Sequence, residues 1–251
     1  MSSSKETAYR ALIHDARNSY ESKNLSLYWH PDCEEINLWT YWQGRNCLDA
    51  KIMLVGQDWG APTDDSAETT MKQIRLANQN LPYKYLEDNP SITDKRLTAL
   101  FQEIGYDITT PQAELFFTNF ILGYRYAGLS GGYKLEWAEH DKTFMKRLVN
   151  IIHPKVVLCL GRSTFEGVIS GFDYKFTPKI GSYNSFIEST RNPVSILLED
   201  GQTVHIFALA HCGAMGTLNR NKSKALPGKK ATTNADLTNQ IADWKKILSY
   251  L

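Results

Sequence analysis

Four short runs of consecutive apolar residues recur along the chain, and each is followed by small or polar residues. They occupy Lys51–Gly56, Leu115–Asn119, Lys155–Leu160 and Val204–Ala210. A strand that is covered on both faces has such a continuous apolar run, whereas a half-exposed strand alternates between apolar and polar residues. The pattern therefore predicts four parallel strands, numbered one to four in chain order.

Segments with apolar residues at helical spacing separate these strands. They predict helices over Thr7–Ser22, Lys95–Ile104, Trp137–Ile152 and Ala235–Ser249. The pattern Ser163-x-x-Glu166 predicts a capping box that opens a further helix directly after the third strand. Asp200-Gly201 lies between two apolar runs and predicts a β-hairpin before the fourth strand.

This alternation predicts an α/β fold in which helices cover both faces of a mostly parallel sheet. A chain of 251 residues is long enough for one sizeable domain and short for two. We expect a single domain, with residues 1–48 as a helical, aromatic-rich cap and residues 49–251 as the α/β core. Ligands of such sheets bind beyond the carboxyl ends of the strands, so the residues that end the strands are the candidate site.

Composition is that of a globular protein and predicts a cytoplasmic location. Apolar residues make up 42% and charged residues 22%, and no apolar run approaches the roughly 20 residues that cross a bilayer. The first residues lack the basic-then-apolar pattern of a signal peptide. The four cysteines form no Cys-x-x-Cys pair, so we expect no disulfide framework, metal or other cofactor, although distant cysteines can also gather around zinc or an iron–sulfur cluster.

Three of the predicted strands end in side chains that can do chemistry. The first ends in Gly56-Gln57-Asp58-Trp59-Gly60, the second ends in Asn119, and the fourth runs into His211. The glycines let the backbone approach a ligand, the carboxylate accepts hydrogen bonds, and the amide both donates and accepts. Each side chain also has a structural interpretation, namely a helix cap for Asp58, a closed turn for Asn119 and a core histidine for His211.

The net charge is +1, and the basic residues are unevenly distributed. No acidic residue occurs from Gly201 to Ala235, and this stretch contains Arg220, Lys222, Lys224, Lys229 and Lys230. Such a patch can neutralise the phosphates of a nucleic acid, although a solvated loop has the same composition. No Gly-x-Gly-x-x-Gly motif follows the first strand, so a nucleotide cofactor is not expected.

The strand-end residues, in this order and spacing, resemble the motifs of the uracil-DNA glycosylase superfamily. Gly56-Gln57-Asp58 matches the start of a Gly-Gln-Asp-Pro-Tyr-His motif, while Gly60 resembles the branches whose motif ends in Pro-Gly. Phe117–Asn119 and His153–Arg162 are similar to elements of the iron–sulfur branch. His211 matches the His of a closing His-Pro-Ser motif. The resemblance covers about residues 50–250.

The resemblance implies a three-layer α/β/α sandwich with a four-stranded parallel sheet in the order 2-1-3-4. It also implies a DNA glycosylase, a hydrolase that flips uracil or a modified pyrimidine out of DNA and cleaves its N-glycosidic bond in base-excision repair. On this resemblance Asp58 orients the attacking water and stabilises the sugar cation, and His211 donates to the departing base. The base would be bound by Asn119, Gly56, Gln57 and Gly60.

The resemblance also implies contacts with DNA, single- or double-stranded. Met215 stands four residues after His211, where a wedging Leu is found in the superfamily. The phosphates would be contacted by Arg220, Lys222 and Lys224. We expect a monomer with no membrane partner.

Departures from the superfamily motifs leave the substrate open. Trp59 replaces the Pro, and Gly60 replaces a Tyr that blocks the 5-position of a pyrimidine, so a 5-substituted base has room. Cys212-Gly213-Ala214 replaces Pro-Ser-Pro, which removes hydroxyls that grip phosphate. The alternative is a nucleic-acid-binding member of the same fold without glycosylase activity. A third interpretation is an unrelated α/β enzyme with a small-molecule substrate.

Overall fold

The computed structural model describes residues 4–37, 47–60, 64–79, 81, 90–110, 114–127, 131–176, 183–222 and 236–251 of the chain. For residues 64–70 it describes the backbone alone. The strands are β1 (Leu27–Tyr28), β2 (Ile52–Gly56), β3 (Leu115–Asn119), β4 (Tyr124–Arg125), β5 (Val156–Leu160), β6 (Val194–Leu197) and β7 (Thr203–Leu209). The helices are α1 (Ser4–Ser22), α2 (Asp64–Asn78), α3 (Ile92–Gln102), α4 (Leu135–Ile152), α5 (Arg162–Ser170), α6 (Tyr183–Glu188), α7 (Ala214–Lys222) and α8 (Thr238–Lys245), followed by a 3-10 helix (Lys246–Tyr250).

A five-stranded, mostly parallel sheet forms the centre of the fold. Its spatial order is β3-β2-β5-β7-β6, in which β6 pairs antiparallel with β7 and all other pairs are parallel. The four predicted parallel strands therefore occur, in the order 2-1-3-4. The predicted count of four strands is wrong, because the hairpin at Asp200-Gly201 adds β6 to the same sheet as an edge strand.

Successive residues of the central strands point to opposite faces of the sheet and pack into two separate apolar cores. The strand sequences are therefore continuously apolar. Met53 and Val55 of β2 pack into one core, and Ile52 and Leu54 pack into the other. The first core also contains residues of α1, α4, α5 and α6, and the second contains residues of α3, α8 and the 3-10 helix. Helices thus cover both faces of the sheet. Side chains of α1 share a core with the sheet, so this part of the predicted cap packs directly onto it.

Two helix predictions need correction. Ser163 is not a helix cap, because α5 already begins at Arg162 with Gly161 as its N-cap, and Glu166 pairs with Arg162 instead. The predicted last helix is divided into α8 and a 3-10 helix. A capping box occurs at α3, where Ser91 and Asp94 bond each other's backbone N–H groups. None of the helices in the described ranges has the length and apolar character needed to traverse a bilayer.

Candidate functional site

A cleft opens where the sheet prediction placed it, at the carboxyl ends of the parallel strands. Its volume is about 800 Å³, within the roughly 300–1,000 Å³ of small-molecule sites. Apolar side chains of the strands contribute to its lining, and the first turns of α3, α5 and α7 reach it. Of the predicted site residues, the cleft brings together Gly56, Gln57, Asp58, Asn119, His211 and Met215.

The Asp58 carboxylate is buried in the cleft wall and is held by Arg125 of β4. Nε of Arg125 donates to Oδ1 at 3.0 Å, and Nη2 donates to Oδ2 at 2.6 Å. The Gly60 N–H donates to Oδ1 and Gln57 Nε2 donates to Oδ2, each at 2.8 Å. A carboxylate has about four lone-pair positions. Four donors therefore occupy Asp58, and the water-orienting role predicted for it finds no free acceptor in this arrangement.

The hydrogen bonds to Asp58 also account for the positions of Gly60 and Gln57. Gly60 has a φ of 67°, a conformation that favours glycine, and it is buried and does not line the cleft. The predicted contact between Gly60 and a base is therefore corrected, because its N–H holds Asp58. Gln57 Nε2 also donates to the Gly131 carbonyl at 2.7 Å, and Arg125 Nη2 donates to the same carbonyl at 3.1 Å. These bonds join the loop after β2 to the segment before α4 as one wall.

The Asn119 amide lies at the end of β3, in register with Gly56 of β2. A Cβ atom on Gly56 would lie 2.4 Å from Asn119 Oδ1, so a larger residue there would displace this amide. Asn119 is 7% exposed. Within the part of the chain that the structure describes, its side chain makes no hydrogen bond. The amide borders the cleft, so its donor and acceptor are available to a ligand that enters.

His211 follows β7 on the opposite side of the central strands from Asn119. Its Nδ1 accepts a hydrogen bond from the Gly213 N–H at 2.9 Å. Although the side chain is open to solvent at the cleft, partial desolvation there lowers the pKa of His211 below its usual value. A neutral ring with Nδ1 as acceptor carries its proton on Nε2, so His211 can donate a hydrogen bond to a ligand.

The residues predicted to contact DNA have different positions. Met215 lines the cleft and is 64% exposed, and Lys222 is exposed at the end of α7. The prediction for Arg220 is wrong, because its side chain is buried and bonds Asp243 at 2.6 and 2.8 Å and Glu188 at 2.6 Å. This arginine fastens α7 to α8 and α6. Lys224 lies outside the described residues.

Sequence reasoning missed two residues of the site. Arg125 lies 67 positions from Asp58 along the chain, and no local pattern marks it as a partner. Asp94 lines the cleft and belongs to the capping box at Ser91-x-x-Asp94, a pattern that the sequence displays. Phe101, which follows Asp94 on α3, stacks on Phe117 inside the second core.

No protein-family model and no curated protein matches this chain. Among the described residues, no three His, Cys, Asp or Glu side chains are grouped in a way that holds a metal ion.

Proposed function

We propose that the cleft binds a base flipped out of DNA, uracil or a modified pyrimidine, and that the protein hydrolyses its N-glycosidic bond. The observation that carries this proposal is the Asn119 amide, which is 93% buried at the cleft and has no partner within the described residues. A pyrimidine edge presents adjacent carbonyl and N–H groups, and one amide can bond both. The amide thus suits a base that must be recognised after extrusion from the stack.

His211 supports the hydrolytic part of the proposal. A departing pyrimidine gathers negative charge on its carbonyl oxygen, and a placed N–H donor stabilises that charge. The Gly213 N–H leaves Nε2 of His211 as the donor, and the lowered pKa favours a neutral ring. A neutral donor avoids loss of the proton to the base and can act throughout the neutral pH range.

A second candidate function is nucleic-acid binding without cleavage. The observation that favours it is the saturation of Asp58 by Arg125, Gln57 and Gly60. If Asp58 were the only carboxylate able to hold the attacking water, this arrangement would bind a base and leave its bond intact. Salt-sensitive binding of DNA with no turnover would then be expected.

The test is a glycosylase assay on labelled oligonucleotides that contain uracil, hypoxanthine, xanthine or 5-substituted pyrimidines, in single and double strands. We expect alkali-sensitive cleavage at a pyrimidine. Asn119→Ala should lower the rate by roughly 100-fold or more, the size seen when one essential donor to a developing charge is lost. The matched control is Asn150→Ala, on α4 and outside the cleft, where hydrogen bonds to Glu199 and to the Lys146 carbonyl are lost.

No cleavage of any base by the unaltered protein, together with salt-sensitive DNA binding, would favour the binding function. Neither cleavage nor binding would favour a small-molecule substrate. Equal losses in Asn119→Ala and Asn150→Ala would show that the amide at the cleft has no special role.

A further inference from the structure

The described residues of the cleft include two carboxylates, Asp58 and Asp94, and these differ in how many of their acceptor positions are occupied by hydrogen bonds. Asp58 has a donor on every acceptor position, as described above. Asp94 accepts one bond, from the Ser91 N–H to Oδ2 at 2.9 Å. In the described part of the chain, Oδ1 of Asp94 has no hydrogen-bond partner. Asp94 is only 6% exposed, and it borders the cleft, so the small surface that it keeps is available to a ligand there.

Two observations place the first turn of α3, which carries Asp94, beside the turn that carries His211. Arg96, two residues further along α3, donates from Nη1 to the Cys212 carbonyl at 3.1 Å. Thr93 approaches the same turn, because a Cβ atom on Gly213 would lie 3.5 Å from Thr93 Oγ1 and 2.9 Å from His211 Nδ1. The first turn of α3 and the turn that carries His211 are therefore fixed side by side at the cleft.

The start of a helix also suits a negative charge. The N–H groups of the first turn carry partial positive charge, which stabilises a carboxylate there. Asp94 occupies the third position of α3 and caps it through one oxygen. The helix cap therefore explains the hydrogen bond to Oδ2 of Asp94 but uses no bond to Oδ1.

We propose that Asp94 is the catalytic carboxylate that holds the attacking water, and that Asp58 serves to fix the cleft wall. This inference rests on the proposed function. The C1′–N bond breaks and its electron pair stays on the base, while the water oxygen bonds to C1′. The water gives one proton to Asp94, which releases it to solvent. The base anion accepts a hydrogen bond from Nε2 of His211 and takes up a proton from solvent.

The experiment compares Asp94→Asn with Ser91→Ala in single-turnover cleavage of the best oligonucleotide. Asn at 94 keeps an oxygen for the Ser91 N–H but is a poor proton acceptor, so we expect the rate to fall by roughly 10²- to 10⁴-fold with unchanged DNA affinity. Ser91→Ala breaks the capping box and keeps the carboxylate. Its rate should change by less than about threefold, although a lost N-cap lowers helix stability.

Chemical rescue separates a catalytic role from a structural one. Added formate should restore part of the rate of Asp94→Ala, because a free carboxylate can take the place of the missing one, whereas it cannot repair a helix cap. The inference is overturned if Asp94→Asn keeps more than a third of the rate, or if Ser91→Ala loses as much as Asp94→Asn. In both cases the unaltered protein still cleaves DNA and the proposed function stands. If the unaltered protein cleaves no base, the proposed function fails and this inference fails with it.

Discussion

Two polar clusters of the molecule contain similar groups and differ in how completely those groups are bonded. Between α1 and α4, Ser19 Oγ lies 2.7 Å from His140 Nε2, and His140 Nδ1 lies 2.6 Å from Asp141 Oδ1. Asp141 also accepts from the Tyr20 hydroxyl and from the Leu122 N–H. This cluster has the order of a hydrolase triad, yet each of its polar side chains already has a partner.

At the cleft, by contrast, Asn119, His211 and Asp94 each keep a polar atom without a partner among the described residues. Residue types alone would have favoured the Ser19 cluster as a catalytic site. The comparison shows that unused hydrogen-bonding capacity beside a cleft is the better guide, because a polar group that is buried and satisfied has already repaid its desolvation.

The largest effect on stability is expected in the cluster of Ser19, His140 and Asp141 between α1 and α4. Asp141→Ala removes the acceptor of His140, Tyr20 and the Leu122 N–H at once, and Asp141 is fully buried. The free energy of unfolding, measured in urea, should fall by roughly 3 kcal/mol or more, as when one partner of a buried charged network is removed. Ser19→Ala loses one hydrogen bond at the edge of the cluster and should cost about 1 kcal/mol.

A loss below about 1 kcal/mol in Asp141→Ala would show that this cluster is not the structural anchor inferred from its complete bonding. The cluster also has an indirect connection to the cleft. Tyr20 accepts from the Gly123 N–H at 2.9 Å, and Gly123 lies two residues before Arg125. Cleavage by Asp141→Ala should therefore be compared per folded molecule, which separates a change at the cleft from the loss of folded protein.

The substitution Gly56→Ala is expected to have a smaller effect, which lowers both stability and activity. Gly56→Ala places a methyl group 2.4 Å from Asn119 Oδ1, and the amide must move to admit it. We expect overpacking to cost roughly 1–3 kcal/mol in unfolding free energy. If the proposed function holds, cleavage should fall at least tenfold, because the displaced amide would no longer present the same groups to the proposed base. Gly132→Ala is the control, since nothing lies within 4 Å of its Cβ position.

Equal activity in Gly56→Ala and Gly132→Ala would contradict the placement of Asn119 as the group that recognises the base. A stability loss without any activity loss would show that the amide can shift and still bind its ligand.

The sequence predicted the sheet well because its strands are buried on both faces and therefore read as uninterrupted apolar runs. It also predicted that Gly56, Asp58, Asn119 and His211 would meet, since strand ends of a parallel sheet share one edge. The pairing of Arg125 with Asp58 could not be predicted, because it depends on where β4 is placed by its ribbon with β1. Arg220 was misassigned because a basic stretch does not reveal which of its side chains turns inward.

The smallest effect expected is the pH dependence of His211. Desolvation lowers the pKa of His211 in the folded protein, so below the ordinary value of about 6.5 the unfolded chain binds more protons than the folded one. This contribution to folding stability is therefore present at neutral pH and is lost as the pH falls. Protonation also breaks the acceptor role of Nδ1 toward the Gly213 N–H. Cleavage should accordingly be constant around neutral pH and decline only below the ordinary histidine range.

His211→Gln and His205→Gln test this prediction as a matched pair, because both histidines have lowered pKa values and His205 lies on β7 away from the cleft. We expect both variants to lose part of the pH dependence of stability, measured as urea midpoints between pH 5 and 8. Only His211→Gln should change the pH profile of cleavage. If both substitutions altered the pH profile of cleavage equally, that profile would depend on folding stability and not on the Nε2 donor of His211.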